Sequence, residues 1–166
     1  MPQASPAVPA TISLMAAAAL LGRSKRTLWR RVSDGALCRA PDDAAARTML
    51  FTKDIAAELP WRLSPEEWDL VARADAGDAQ AQATLAGMLL KRELPAAAVY
   101  WWALAAKQGH ADAMQWLARA YLAGEGVAAD ANVGMMWLAK AAAAGHPIAL
   151  AQMDGLTQLA STAQHG

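Results

Sequence analysis

The chain has 166 residues, 55% of them apolar, one cysteine, and fifteen basic residues balanced by fifteen acidic ones. That length fits one ordinary domain or two small ones, with enough apolar material for a real core. The single Cys38 excludes an internal disulfide framework and fits a reducing, cytoplasmic setting, and no apolar run approaches the ~20 residues of a membrane span.

Alanine and leucine dominate while β-branched residues are scarce, so helix is the default expectation. The neutral total hides an asymmetry: residues 1–62 carry a net charge of +4 and residues 63–166 a net charge of −4. Such a division points to two modules, the first a candidate for a polyanion.

Residues 1–10 (MPQASPAVPA) contain three prolines and are expected to form a disordered tail. The run ISLMAAAALLG has the length of an export-signal core, but the basic segment follows it, the reverse of an export signal, so it is read as a buried helix. Ser13 is expected to cap that helix over Leu14 to Leu21, and Gly22 to break it. A second helix is expected from about Ser24 to Ser33, with Gly35 as its left-handed stop. Short extended segments follow at 37–39 and 48–51, separated by the polar loop APDDAAAR. Thr52 is then expected to cap a short helix ended by Pro60.

Five of the nine residues from Arg23 to Arg31 are basic and none is acidic. On a helical wheel Arg23, Arg26, Thr27, Arg30 and Arg31 fall within roughly 140°, opposite Leu28, Trp29 and Val32. A cationic helix after a tight glycine turn has the layout of a helix-turn-helix, whose second helix enters the DNA major groove. On Ile12-Ser13, Ala16-Ala17-Ala18, Leu20-Leu21-Gly22, Arg26-Thr27-Leu28, Arg30, Gly35 and Phe51-Thr52-Lys53-Asp54-Ile55, the segment 11–60 resembles the winged helix-turn-helix of MerR and excisionase-type proteins. The resemblance implies double-stranded DNA as a partner. Arg26 and Arg30 would then reach base edges, Arg23, Lys25 and Arg31 would contact phosphates, and Thr27 would be a further DNA contact. The loop 41–47 would be the wing. It carries Asp42 and Asp43 where such families commonly have basic or glycine residues, which leaves Arg39 and Arg47 as its phosphate contacts.

At 64–68, SPEEW combines a serine cap, a proline in the first turn and Glu67 three residues after the cap, the pattern of a capping box. The Pro60–Ser64 segment is accordingly the expected boundary between modules. Beyond residue 70 the chain repeats itself, with GDAQAQATLAGML, GHADAMQWLARAYL and GHPIALAQM beginning successive units. Gly77 and Gly109 are 32 residues apart and Gly109 and Gly145 are 36 apart, a period that signals a helical solenoid. Leu117, Ala118, Tyr121, Gly124, Gly126, Val127, Asp130, Trp137, Ala141, Ala142 and Gly145 resemble the Sel-one-like repeat, a relative of the tetratricopeptide repeat. The unit near 78–109 keeps Leu85, Trp101, Ala105, Ala106 and Gly109 but lacks the G-x-G-V loop. Trp101, Trp116 and Trp137 are expected to fill the space between units. Trp102 is expected on the surface, since it cannot share Trp101's direction, and Trp102, Trp116 and Tyr121 are the candidate protein-binding residues.

Trp29 is expected in the core. His110 and His146 each follow a repeat glycine on separate units, so no metal site is expected, and Cys38 is read as a small apolar filler. Neither a phosphate-binding glycine loop nor a nucleophile motif is present, so neither an enzyme nor a cofactor is expected. The expected fold is mainly α: a winged helix-turn-helix domain at 11–62 and a short α-solenoid at 63–160, with a tail at 161–166. The expected function is that of a bacterial, cytoplasmic DNA-binding transcriptional regulator, its repeats recruiting a protein or a second copy. The alternative is an interaction adaptor built on the same modules that does not touch DNA.

Overall fold

The computed structural model describes residues 9–163. The expected tails therefore lie outside the described residues at 1–8 and 164–166. The N-terminal half consists of β1 (Thr11–Ser13), α1 (Leu14–Leu21), α2 (Lys25–Ser33), β2 (Arg39–Ala40), β3 (Met49–Phe51) and α3 (Thr52–Glu58). The repeats consist of α4 (Pro65–Asp75), α5 (Ala79–Lys91), α6 (Pro95–Lys107), α7 (Ala111–Ala123), α8 (Ala131–Ala143) and α9 (Pro147–Ala163). Mainly α-helical architecture with a helical solenoid is thus what the chain adopts.

Both early helices begin and end as their local chemistry dictates. The Ser13 hydroxyl accepts from the Ala16 amide at 3.1 Å, and Gly22 closes α1 at φ 59° with its amide on the Ala18 and Ala19 carbonyls. Ser24 Oγ accepts from the Thr27 amide at 3.1 Å and opens α2. β1 was not foreseen. It pairs antiparallel with β3, setting Ile12 opposite Leu50, and β2 pairs with the other edge of β3. A three-residue strand has no local signature; it exists because β3 offers a free edge to β-branched Thr11 and Ile12. Residue 10, placed in the tail by sequence, is tied in as well, since the Thr52 amide donates to the Ala10 carbonyl at 3.0 Å. The α3 cap also departs from expectation. The cap position is Phe51, and Thr52 is buried with its hydroxyl unpaired. The capping box at Ser64 and Glu67 forms as expected.

In the repeats, α5 pairs with α6 and α7 with α8, while α9 begins a third unit against α8. The core is continuous from Ile12 through Leu85, Trp101 and Leu117 to Ala149, so the two halves share one apolar interior. Fully buried Leu20, Leu28, Leu50, Leu85 and Leu117 anchor it, each contributing about 1.5–3 kcal/mol. Polar contacts fasten the same joint. Asp75, at the end of α4, accepts from the Ser13 amide at 2.8 Å, the Ser13 hydroxyl at 2.6 Å and Arg47 Nη1 at 3.1 Å. Arg47 Nη1 also donates to the Asp75 carbonyl at 2.6 Å.

The loop between α7 and α8 shows why its glycines are there. Gly126 adopts φ 75°, and a Cβ on it would lie 2.4 Å from the carbonyl carbon of Pro95, the first residue of α6. The G-x-G-V loop therefore lies backbone against backbone on the preceding unit. Gly126→Ala combines left-handed strain with a clash that backbone cannot relieve, and is expected to lower stability by about 2 kcal/mol or more in denaturant unfolding.

Candidate functional site

The cationic region divides once its neighbours are in place. Arg31 Nη2 lies 2.5 Å from Glu58 Oε1, and Arg23 Nη1 lies 3.7 Å from Glu58 Oε2, so two guanidinium groups share one carboxylate of α3. Arg39 donates to both oxygens of Asp42, at 2.9 and 2.8 Å, and lies 5.9 Å over the Trp29 ring. Arg47 Nε lies 2.6 Å from Asp43 Oδ2, and its Nη1 reaches Asp75. The Arg47 backbone amide, followed by the Arg47 side chain, holds the Asp43 carboxyl below its ordinary value. Thr27 Oγ1 lies 2.8 Å from Ser24 Oγ and belongs to the helix cap.

Arg23, Thr27, Arg31, Arg39 and Arg47, read from sequence as DNA contacts, are thus each engaged inside the chain. In the loop 41–47 the reason is its own chemistry: Asp42 and Asp43 pair with Arg39 and Arg47. Lys25, Arg26 and Arg30 remain exposed and have no carboxylate in ion-pair range among the described residues. Arg26 and Arg30 are four residues apart and share one face of α2. Trp29, expected in the core, is half-buried against it.

The tryptophan expectations need a larger correction. Trp101 and Trp102 are both buried, at 1% and 3% exposure, while Trp116 is 38% exposed. Adjacent helical residues diverge in direction, but α6 is covered by α5 and α7 and touched by α1, so both directions lead inward. Trp102 stacks flat on Trp116, with ring centres 5.1 Å apart and planes 5° from parallel. The Arg119 guanidinium lies 5.1 Å over the Trp116 ring. Trp116 is therefore the outer member of the stack rather than filler between units, and Trp137 is half-buried beneath Lys140. Tyr121, the third candidate, is half-buried. Beside Trp116, Leu122, Met136, Ile148 and Leu150 leave apolar surface exposed on α7, α8 and α9.

The histidines have a role that sequence missed. Asp78, His110 and His146 occupy equivalent places after the repeat glycines, and each side chain caps the helix that follows. Asp78 accepts from the amides of Gln80 and Ala81 at 2.9 and 3.0 Å. His110 Nδ1 accepts from Ala113 and His146 Nδ1 from Ala149, each at 3.3 Å. The far nitrogens bridge units: His110 Nε2 lies 3.1 Å from Gln80 Oε1 and His146 Nε2 lies 3.3 Å from Asp112 Oδ1. Gly-Asp-Ala and Gly-His-Ala at matching repeat positions were the signal that could have revealed these caps. Among the described residues no cluster of His, Cys, Asp or Glu could hold a metal. Cys38, expected to be buried filler, is exposed.

No family model matches the chain, and no curated protein matches it. Among solved structures it is similar to a chain described as the crystal structure of a Sel1 repeat protein from Oxalobacter formigenes, at 33% identity and a TM-score of 0.49. That match covers 59% of this chain and 30% of the other, so this chain spans about a third of that structure's length. Among the described residues, no helix is long and apolar enough to cross a membrane.

Proposed function

We propose that the chain is a protein-interaction adaptor whose repeats present the Trp116 surface to an apolar segment of a partner. The observation that carries this reading is the exposed Trp116 ring, stacked on buried Trp102 and contacted by the Arg119 guanidinium. Preset aromatic rings with an arginine beside them dominate binding energy because little conformational freedom is lost on contact. Solenoids build their partner surfaces from such adjoining helices. No catalytic role is proposed.

Trp116→Ala loses one aromatic stack, worth about 0.5–1.5 kcal/mol beyond the apolar burial that is lost with the ring. In crosslinking and co-purification from the source cell, proteins captured by the parent are expected to be lost from Trp116→Ala and retained by Arg26→Ala/Arg30→Ala. Identical capture by the parent and Trp116→Ala would exclude this surface.

One observation favours a second reading, that of a DNA-binding transcriptional regulator with the repeats as its recruiting arm. Arg26 and Arg30 stand exposed and without an ion-pair partner among the described residues, one turn apart on α2. Such a pair can displace counterions from phosphate and reach guanine edges. If so, the parent binds duplex DNA with an affinity that falls steeply with salt, and Arg26→Ala/Arg30→Ala weakens binding at least tenfold while thermal unfolding is unchanged. Equal binding by parent and variant would remove α2 as the contact.

A further inference from the structure

We propose that the cleft between α1 and α6 binds a small amphipathic carboxylate, with its apolar body against Met15, Ala18, Ala19 and Ala97 and its charge toward Lys25. The cleft has a volume of about 290 Å³ and opens where the helix-turn-helix meets the first repeat. That places it at the small end of ligand sites, roughly 300–1,000 Å³. Its walls are methyl groups and one thioether, and Met15 is a large apolar side chain left exposed on α1. No repeat helix and no part of the wing fills the space.

The polar groups lining the cleft decide the ligand's charge. They are Arg23, Lys25 and Tyr100; neither aspartate nor glutamate lines it. Arg23 shares Glu58 with Arg31 outside the cleft, whereas Lys25 has no carboxylate in ion-pair range among the described residues, so the cleft's edge carries a net positive charge. The Tyr100 hydroxyl has no hydrogen-bond partner among the described residues, and burial, followed by the charge of Asp75 beyond the cleft, raises the Tyr100 phenol above its ordinary value. A rim of donors and cations without an acceptor is satisfied by an anion. A cation would be repelled there, and a neutral apolar molecule would gain nothing from the rim's charge. The apolar walls exclude a bare phosphate or a nucleic-acid backbone, which would lose water there without compensation. The inference is independent of both functional readings, since neither Arg26, Arg30 nor Trp116 lines the cleft.

Calorimetric titration of the full chain with octanoate, 1-octanol and octyltrimethylammonium tests it. Octanoate is expected to saturate a single site, 1-octanol to bind at least fivefold more weakly, and the ammonium not to bind. Ala96→Leu, on the exposed wall of the cleft, is expected to weaken octanoate at least tenfold with thermal unfolding unchanged. Lys25→Gln is expected to weaken octanoate at least fivefold and leave 1-octanol as it was. The proposal is overturned if octanoate does not saturate, if 1-octanol binds as tightly, or if both variants bind octanoate like the parent.

Discussion

Asp75 is the residue on which the arrangement of this molecule turns. One carboxylate at the end of α4 receives the amide and hydroxyl of Ser13 and the guanidinium of Arg47. Ser13 is at once the last residue of β1 and the cap of α1, so the clasp fixes the start of α1. Arg47 lies in the connection between β2 and β3, so the same clasp fixes the hairpin. The side chain of Asp75 is only 10% exposed. Removing one partner from such a cluster leaves the others desolvated and unanswered, which costs more than a surface ion pair is worth. With α1 also packed on α6, the N-terminal half is a continuation of the solenoid's core rather than a bead on a linker.

That joint also determines what the basic residues can do. The sequence collects cations between 23 and 47, but the fold allots them differently. Arg47 goes to the clasp, Arg39 to Asp42 and Trp29, and Arg23 and Arg31 to Glu58 of α3. Arg47, Arg23 and Arg31 tie different elements together, the exposed Arg39–Asp42 pair stays within the hairpin, and Lys25, Arg26 and Arg30 face solvent. A charged stretch is thus part mortar and part surface, and only the partners supplied by other elements separate the two.

What was legible in the sequence was what neighbouring residues decide among themselves. The stop at Gly22, the caps at Ser13 and Ser64, and the repeat period marked by Gly77, Gly109 and Gly145 all follow from local chemistry. What was not legible depended on residues far along the chain. β1 needs the edge of β3, the Asp75 clasp joins positions more than sixty apart, and Trp102 is buried because α6 is covered on several sides. The cationic face was recognisable on a helical wheel, whereas its division by Glu58, Asp42 and Asp43 was not. The capping role of His110 and His146 was within reach, since they stand where Asp78 stands in the preceding unit, but a histidine is rarely read as a cap.

The coupling of the two halves through Asp75 is most directly tested by native-state hydrogen exchange on the intact chain and on Asp75→Ala. In the parent, the amides of β3 and of α6 are expected to open in one cooperative unit, with the same free energy and the same denaturant dependence. In Asp75→Ala, the β3 amides are expected to open separately and about 2–4 kcal/mol more easily, with α6 little changed. If β3 and α6 already open independently in the parent, or if Asp75→Ala leaves β3 protected as before, the clasp does not hold the halves together.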